Sequence, residues 1–213
     1  VGTGSVSTGG SDGGLNRLDR STGRFEHFSF PVTGNSYVRT VMSLGEDHDG
    51  VLWIGTNLGL WSFDPALGTP VRRFGGASGE LHVIDAPVRG ITVDENNNLW
   101  LSTPGYGLYF IDQSTGRIDH YRHDPADPTS LAEDRVILSH IDGRGRVWLG
   151  FDTAGISLFR PDSGDFINYF TPQVGLSSII DIQEDTRGRL WVGTYMGLFE
   201  FDPDGGIVRT ISR

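Results

Sequence analysis

The chain contains no cysteine, which excludes disulfides, thiolate zinc sites and cysteine nucleophiles. Its 213 residues hold no apolar run of the ~18 residues that a membrane-spanning helix needs. No basic stretch leads into an apolar core in the manner of a secretory signal. Positive charge is scarce: 17 Lys and Arg stand against 27 Asp and Glu, for a net charge of −10. Nucleic-acid affinity comes mainly from cations that displace phosphate counterions, so no nucleic-acid partner is expected. The 3.6-residue apolar period of an amphipathic helix is missing throughout. G-x-x-x-x-G-K-[ST] does not occur, which removes a nucleotide cradle, and Ser11 of the Gly/Ser-rich start has no base nearby and reads as loop rather than as a nucleophile elbow. No cofactor, no metal and no catalytic residue is expected.

What is present is glycine, 31 residues of it, with aromatics at 11%. Such a chain is folded and rich in turns. Tryptophan recurs at Trp53, Trp100, Trp148 and Trp191, and six residues before each stands an aspartate: Asp47, Asp94, Asp142 and Asp185. Three residues after each aspartate comes Gly50, Asn97, Gly145 or Gly188. The motif D-x-x-[GN]-x-[LV]-W therefore occurs four times with fixed internal spacing.

The motif has a mechanical meaning. Aspartate opens a turn by accepting backbone N–H groups. Glycine or asparagine then takes the left-handed conformation that a tight hairpin requires. The Trp strand follows and ends in small residues: WIGT (53–56), WLST (100–103), WLGF (148–151) and WVGT (191–194). After a loop comes a Gly-led strand at 59–65, 107–112, 155–161 and 197–203, then a second turn such as Ser114-Thr115-Gly116, then a strand ending in aromatics such as 165–170. Four short strands per 40–48 residues is the period of a β-propeller blade. One Trp per unit would fill the wedge between neighbouring sheets.

The fold class read from this pattern is all-β, a propeller with four-stranded blades. The start is an incomplete blade. Val1-Gly2-Thr3 matches the tail of the Trp strand, the Gly/Ser-rich insert at 4–14 reads as a flexible loop, and Leu15 and Phe25 fall in the third and fourth strands. The expected division is a partial blade over 1–30 and complete blades over 31–76, 77–123, 124–171 and 172–213. Four complete blades and one partial blade suggest a piece of a larger, seven-bladed ring.

The pattern I-x-E-D-x-x-G-x-L-W-[IV]-G-T-x-x-G-L-x-x-F-D-P resembles the two-component regulator propeller repeat. Residues 182–203 match it nearly residue for residue, and residues 44–65 match as well. The linker from Asp124 to Leu131 resembles that family's Pro- and Ser-Leu-containing segment between blades. The blade over 94–112 departs most, with Asn97 in place of Gly and Ser102 in place of the Gly after the Trp strand. It drifts toward the streptogramin-lyase-like propellers. The resemblance implies a sensory module outside the cytoplasm, periplasmic in a bacterial receptor, whose histidine kinase or diguanylate cyclase lies outside this chain. It also implies an oligosaccharide or other small-molecule ligand and further blades and downstream domains of the same receptor. With no long apolar run, no membrane contact is expected within this segment, and a homodimer is expected of the intact receptor.

The repeated Asp and Trp serve the repeat, so function is sought where blades differ. The loops between second and third strands carry Asn57, Tyr106, Asp152 and Tyr195. Two residues before the repeated Asp stand Gly45, Thr92, His140 and Gln183, with Arg89 and Asp181 nearby. Asn57, Arg89, Tyr106, His140, Asp152, Gln183 and Tyr195 are the candidate ligand contacts, able to hydrogen-bond and stack on a sugar-like molecule. Each also reads as an ordinary polar loop residue or a residue of a wet channel. Trp61 lies outside the repeat position and reads as either blade packing or surface. His120, His123 and Asp124 resemble metal ligands. Strand residues three apart face opposite sides, so a metal there is not expected. Two other readings stay open. One is a streptogramin-lyase-like or polysaccharide-lyase enzyme, for which His140 with Arg89 is the one available pairing. The other is a non-catalytic scaffold that docks a protein.

Overall fold

The computed structural model describes residues 14–30, 40–64, 68–72, 86–169, 178–202 and 206–211. These form β-strands joined by turns, with no helix among the described residues. The first hairpin is β1 (Gly14–Asp19) and β2 (Arg24–Ser29). Next come β3 (Val41–Glu46), β4 (Leu52–Thr56), β5 (Gly59–Asp64) and β6 (Thr69–Arg72). The following strands are β7 (Gly90–Val93), β8 (Leu99–Thr103), β9 (Gly107–Ile111) and β10 (Ile118–Tyr121). Then follow β11 (Val136–Ile141), β12 (Val147–Phe151), β13 (Ile156–Arg160) and β14 (Asp165–Tyr169). The last set is β15 (Ile179–Glu184), β16 (Leu190–Thr194), β17 (Gly197–Asp202) and β18 (Gly206–Ile211). Strands pair in chain order to give one two-stranded and four four-stranded antiparallel sheets. This is an all-β propeller architecture with four complete blades and a partial one. The insert at 4–14 lies outside the described residues apart from Gly14.

The Asp motif builds the first hairpin of every complete blade. In each, the aspartate carbonyl accepts the N–H three residues on, from Gly50, Asn97, Gly145 or Gly188 at 2.8–3.1 Å. Those four residues all hold a positive φ, between 65° and 80°. Asn97 is the one that is not glycine, and asparagine tolerates that conformation better than most side chains. The carboxylate does more than open the turn. One oxygen takes the backbone N–H groups two and four residues on, at 2.9–3.1 Å in all four blades. The other takes the indole N–H of the repeated Trp: Trp53 at 2.8 Å, Trp100 at 3.2 Å, Trp148 at 2.9 Å and Trp191 at 3.1 Å. The fixed six-residue spacing is the reach of that bond. It leaves a large apolar ring in the core with its one polar atom satisfied.

Two compact units divide the chain, residues 1–91 and 92–213. In the first, Leu15, Phe28 and Phe30 of the partial blade pack on Ile54, Trp61 and Phe63. Trp61 is 3% exposed and meets the edge of Phe30 at 5.1 Å, so it is blade packing. In the second, Trp100, Leu108 and Phe151 belong to one cluster, closed by Phe159 and Phe166. Trp148 anchors another with Ile179, Ile182, Val192, Phe199 and Phe201. Trp100 and Trp148 thus fill the space against the next blade. Packing also explains the small residue two places after the Trp. A Cβ at Gly150 would lie 2.7 Å from the Ile179 side chain, and one at Gly55 would lie 2.9 Å from the Val88 side chain.

Candidate functional site

Antiparallel order places the Asp turns at one end of each blade. The loops between second and third strands lie at the other end, next to the segments that enter each blade. Hydrogen bonds tie these last two sets together. Asn57 N–H donates to Thr40 O at 3.2 Å, and its side-chain oxygen accepts Thr40 N–H at 3.3 Å. Gly105 and Gly107 both donate to Asp134 O at 2.9 Å, and the Ser178 amide donates to Asp152 O. In each blade the non-repeating residues of the loop between second and third strands thus sit at the end opposite the Asp turn.

Within that end the loops close in two ways. In three blades the last residue of the Trp strand is threonine, whose hydroxyl bonds the carbonyl of the glycine across the loop. These bonds are Thr56 to Gly59 at 2.9 Å, Thr103 to Gly107 at 2.6 Å and Thr194 to Gly197 at 3.1 Å. The fourth blade has Phe151 there, buried in the core. Its loop is held by Glu133 instead, whose Oε1 accepts Asp152 N–H at 2.9 Å and Thr153 N–H at 3.1 Å. The Thr153 hydroxyl bonds the other carboxylate oxygen. Glu133 escaped sequence reasoning because it lies 19 residues from the loop it holds. The one available signal was the break of the Gly-Thr pattern at Phe151.

The candidate residues fall as follows. Asn57 and Arg89 belong to the first unit and the other five to the second. Asn57 acts as a clamp on the strand entry, and Arg89 is exposed. Tyr106 is 48% exposed and Tyr195 is 83% exposed at their loop tips. Asp152 faces the Arg135 guanidinium at 3.3 Å. The Tyr106 and Asp152 loops therefore flank the same segment, 133–135. His140 and Gln183 sit apart from these loops, on the first strands of their blades. Gln183 is exposed and its amide reaches Asp181 Oδ1 at 3.4 Å. His140 pairs with Trp148 across the ladder, and its Nε2 is buried without a hydrogen-bond partner among the described residues. Burial pushes its pKa down, and the carboxylates of Glu184, Asp142 and Asp181 oppose that only in part. Burial thus favours the neutral imidazole at His140. Neighbouring positions on these first strands also meet the next blade, with Thr92 Oγ1 2.8 Å from Ser139 Oγ and Gly45 against Ile91.

His120 and His123 are each taken by a backbone carbonyl. His120 Nε2–H donates to Tyr106 O at 2.7 Å while its ring stacks on Tyr109 at 3.9 Å. His123 Nδ1–H donates to Leu131 O at 2.7 Å. The two rings have separate structural jobs.

Comparison with known proteins places this geometry. Structurally the chain is similar to virginiamycin B lyase from Staphylococcus aureus, in a catalytically inactive variant with quinupristin. The TM-score is 0.71 at 17% identity, over 94% of this chain and 63% of that one. It is also similar to the extracellular domain of BT3049 from B. thetaiotaomicron, described as a hybrid two component system. There the TM-score is 0.58 at 20% identity, over 81% of this chain and 30% of that one. At such identities these likenesses show the fold. In sequence, 54 residues are 48% identical to Histidine kinase P4 of Formosa agariphila, 24% of this chain and 4% of that protein. Residues 35–58 and 174–196 match the two component regulator propeller family.

Proposed function

We propose that this chain is a ligand-sensing propeller module of a bacterial two-component-type receptor, exposed outside the cytoplasm and itself non-catalytic. The observation that carries the reading is the loop end. A repeated frame of Asp–Trp bonds and core tryptophans presents Tyr106, Asp152 and Tyr195, which blade packing does not demand. The half-exposed Tyr106, on a loop that flanks the segment bearing Arg135, which pairs with Asp152, suits a sugar-like ligand that needs both stacking and hydrogen bonds. The family match and the likeness to extracellular receptor domains support placing the output domain elsewhere in a longer receptor.

A lyase would need a base free to take a proton from substrate. The imidazole nitrogen of His140 that lacks a partner is buried, which disfavours it as that base. A thermal-shift screen against oligosaccharides, with product analysis of each hit, tests the proposal. A sugar that stabilises the chain and is recovered intact supports sensing. A sugar that is cleaved overturns the non-catalytic reading, and no shift with any small molecule favours a protein-docking scaffold.

A further inference from the structure

The outer strands β9 and β10 carry a polar cluster beside the Tyr106 loop. In their antiparallel register Tyr109 lies opposite His120 and Leu108 opposite Tyr121. Strand residues two apart face the same side, so Arg122, just past β10, falls on the face of Tyr109 and His120. The His120 ring stacks on Tyr109 at 3.9 Å with 8° between the planes, and its Nε2–H donates to Tyr106 O at 2.7 Å. The Arg122 stem lies against Gly107, where a Cβ would come within 3.0 Å of Arg122 Cδ. Its guanidinium donates to Asp134 Oδ2 at 2.6 Å. Asp134 is itself fixed: Oδ1 accepts His123 N–H at 2.8 Å, and its carbonyl accepts the Gly105 and Gly107 N–H groups at 2.9 Å.

The observation that points to a ligand is the Tyr109 hydroxyl. Tyr109 is 6% exposed, yet its hydroxyl has no hydrogen-bond partner among the described residues. Unlike the Trp61 and His140 nitrogens, it is not sealed from solvent. Burial pushes its pKa up, Arg122 opposes that and Tyr106 adds to it, so the phenol stays protonated and keeps its proton to donate. His120, Arg122 and Tyr106 around it are exposed. Only the Nη2 of Arg122 is used by Asp134, so the guanidinium keeps N–H groups to donate. The charge of the site is cancelled, because Asp134 stays ionised beside Arg122. Burial opposes that ionisation, but Arg122 and the His123 amide hold the carboxyl below its ordinary pKa. An anion would gain little from an arginine already paired, and a cation would find both Asp134 oxygens occupied. An apolar group would leave the Tyr109 hydroxyl without a partner.

We propose that Tyr109, His120 and Arg122, with the Tyr106 tip, form a subsite for one uncharged sugar residue. The Tyr109 hydroxyl and the free Arg122 N–H groups donate to sugar oxygens, and the Tyr106 ring covers an apolar face of the sugar. The inference rests on the sensing reading above and adds to it the blade, the residues and the charge class of the ligand.

The test is titration of the 213-residue chain with maltohexaose, cellohexaose, xylohexaose and hexagalacturonate, read by amide chemical shifts and repeated with Tyr109→Phe. The expected result is saturable binding of an uncharged hexasaccharide, with shifts at 105–107 and 120–122. Tyr109→Phe removes one oxygen that the fold does not use, so Tm should stay within ~2 °C. Affinity should fall about three- to tenfold, the loss of one hydrogen bond. A larger drop in Tm would show that the hydroxyl serves the fold and would overturn the subsite. Binding with shifts only elsewhere, or with full affinity in Tyr109→Phe, would overturn the subsite and leave the sensing reading standing. Tighter binding of hexagalacturonate would overturn the uncharged class. Saturation by none of the four would overturn the subsite together with the sensing reading.

Discussion

The aspartate of each repeat holds two backbone N–H groups and the indole of its Trp. Asp142 holds two backbone N–H groups, the Trp148 indole and the Arg146 guanidinium at 2.7 Å. Burial opposes its ionisation, yet the bonds from Trp148 and Arg146 outweigh that and keep its pKa below the usual carboxylate range. Replacing Asp142 by Ala leaves the indole N–H buried without an acceptor and should cost about 2–3 kcal/mol in chemical denaturation. The support from ionised Asp142 is complete above the unfolded pKa of ~3.9 and is lost as pH falls through the lower folded value. His140 has the opposite sign. Its folded pKa lies below the unfolded ~6.5, so the unfolded chain binds the extra proton. Stability should therefore fall as pH drops below about 6.5. His140→Asn should lose less Tm between pH 7 and pH 5 than the unmodified chain does, and an equal loss would show that His140 does not drive the change. The spacing of Asp and Trp was legible in the sequence. That their side chains bond was not, because a hairpin brings them together only once folded.

At the scale of the element, the four-strand blade was readable because its turns are written in residues with strict backbone demands. Gly50, Gly145 and Gly188 stand where φ is positive, and Asn97 fills the same place. The variable loops were legible as positions but not as interactions. Asn57 turned out to clamp its own strand entry. The Glu133 contact spans 19 residues, with no local pattern to announce it. Glu133→Ala should expose the Asp152 and Thr153 amides to faster hydrogen exchange. Because Glu133 is itself in no core cluster, Tm should change little. Unchanged exchange at those two amides would mean that the loop is held by other means.

For the molecule as a whole, stability rests on tryptophans between blades. Trp148 is fully buried, with Tyr169 and Phe201 rings at 5.9 and 5.5 Å. Trp148→Ala should cost roughly 3–5 kcal/mol. Trp191, only partly buried, should cost clearly less on the same change, measured by urea unfolding. A repeat of such regularity made the architecture legible from one sequence. The ligand is not legible in the same way, because the repeat constrains the frame and leaves the tips free. The claim that matters most is that those tips read a ligand. The most direct measurement is calorimetric binding of an oligosaccharide found by thermal shift, compared between the unmodified chain and a Tyr106→Ala, Tyr195→Ala variant. Both side chains are well exposed, so the account predicts an unchanged Tm and a loss of affinity of about tenfold or more, in line with ~1 kcal/mol or more per lost aromatic contact. Undiminished binding by the variant would contradict it.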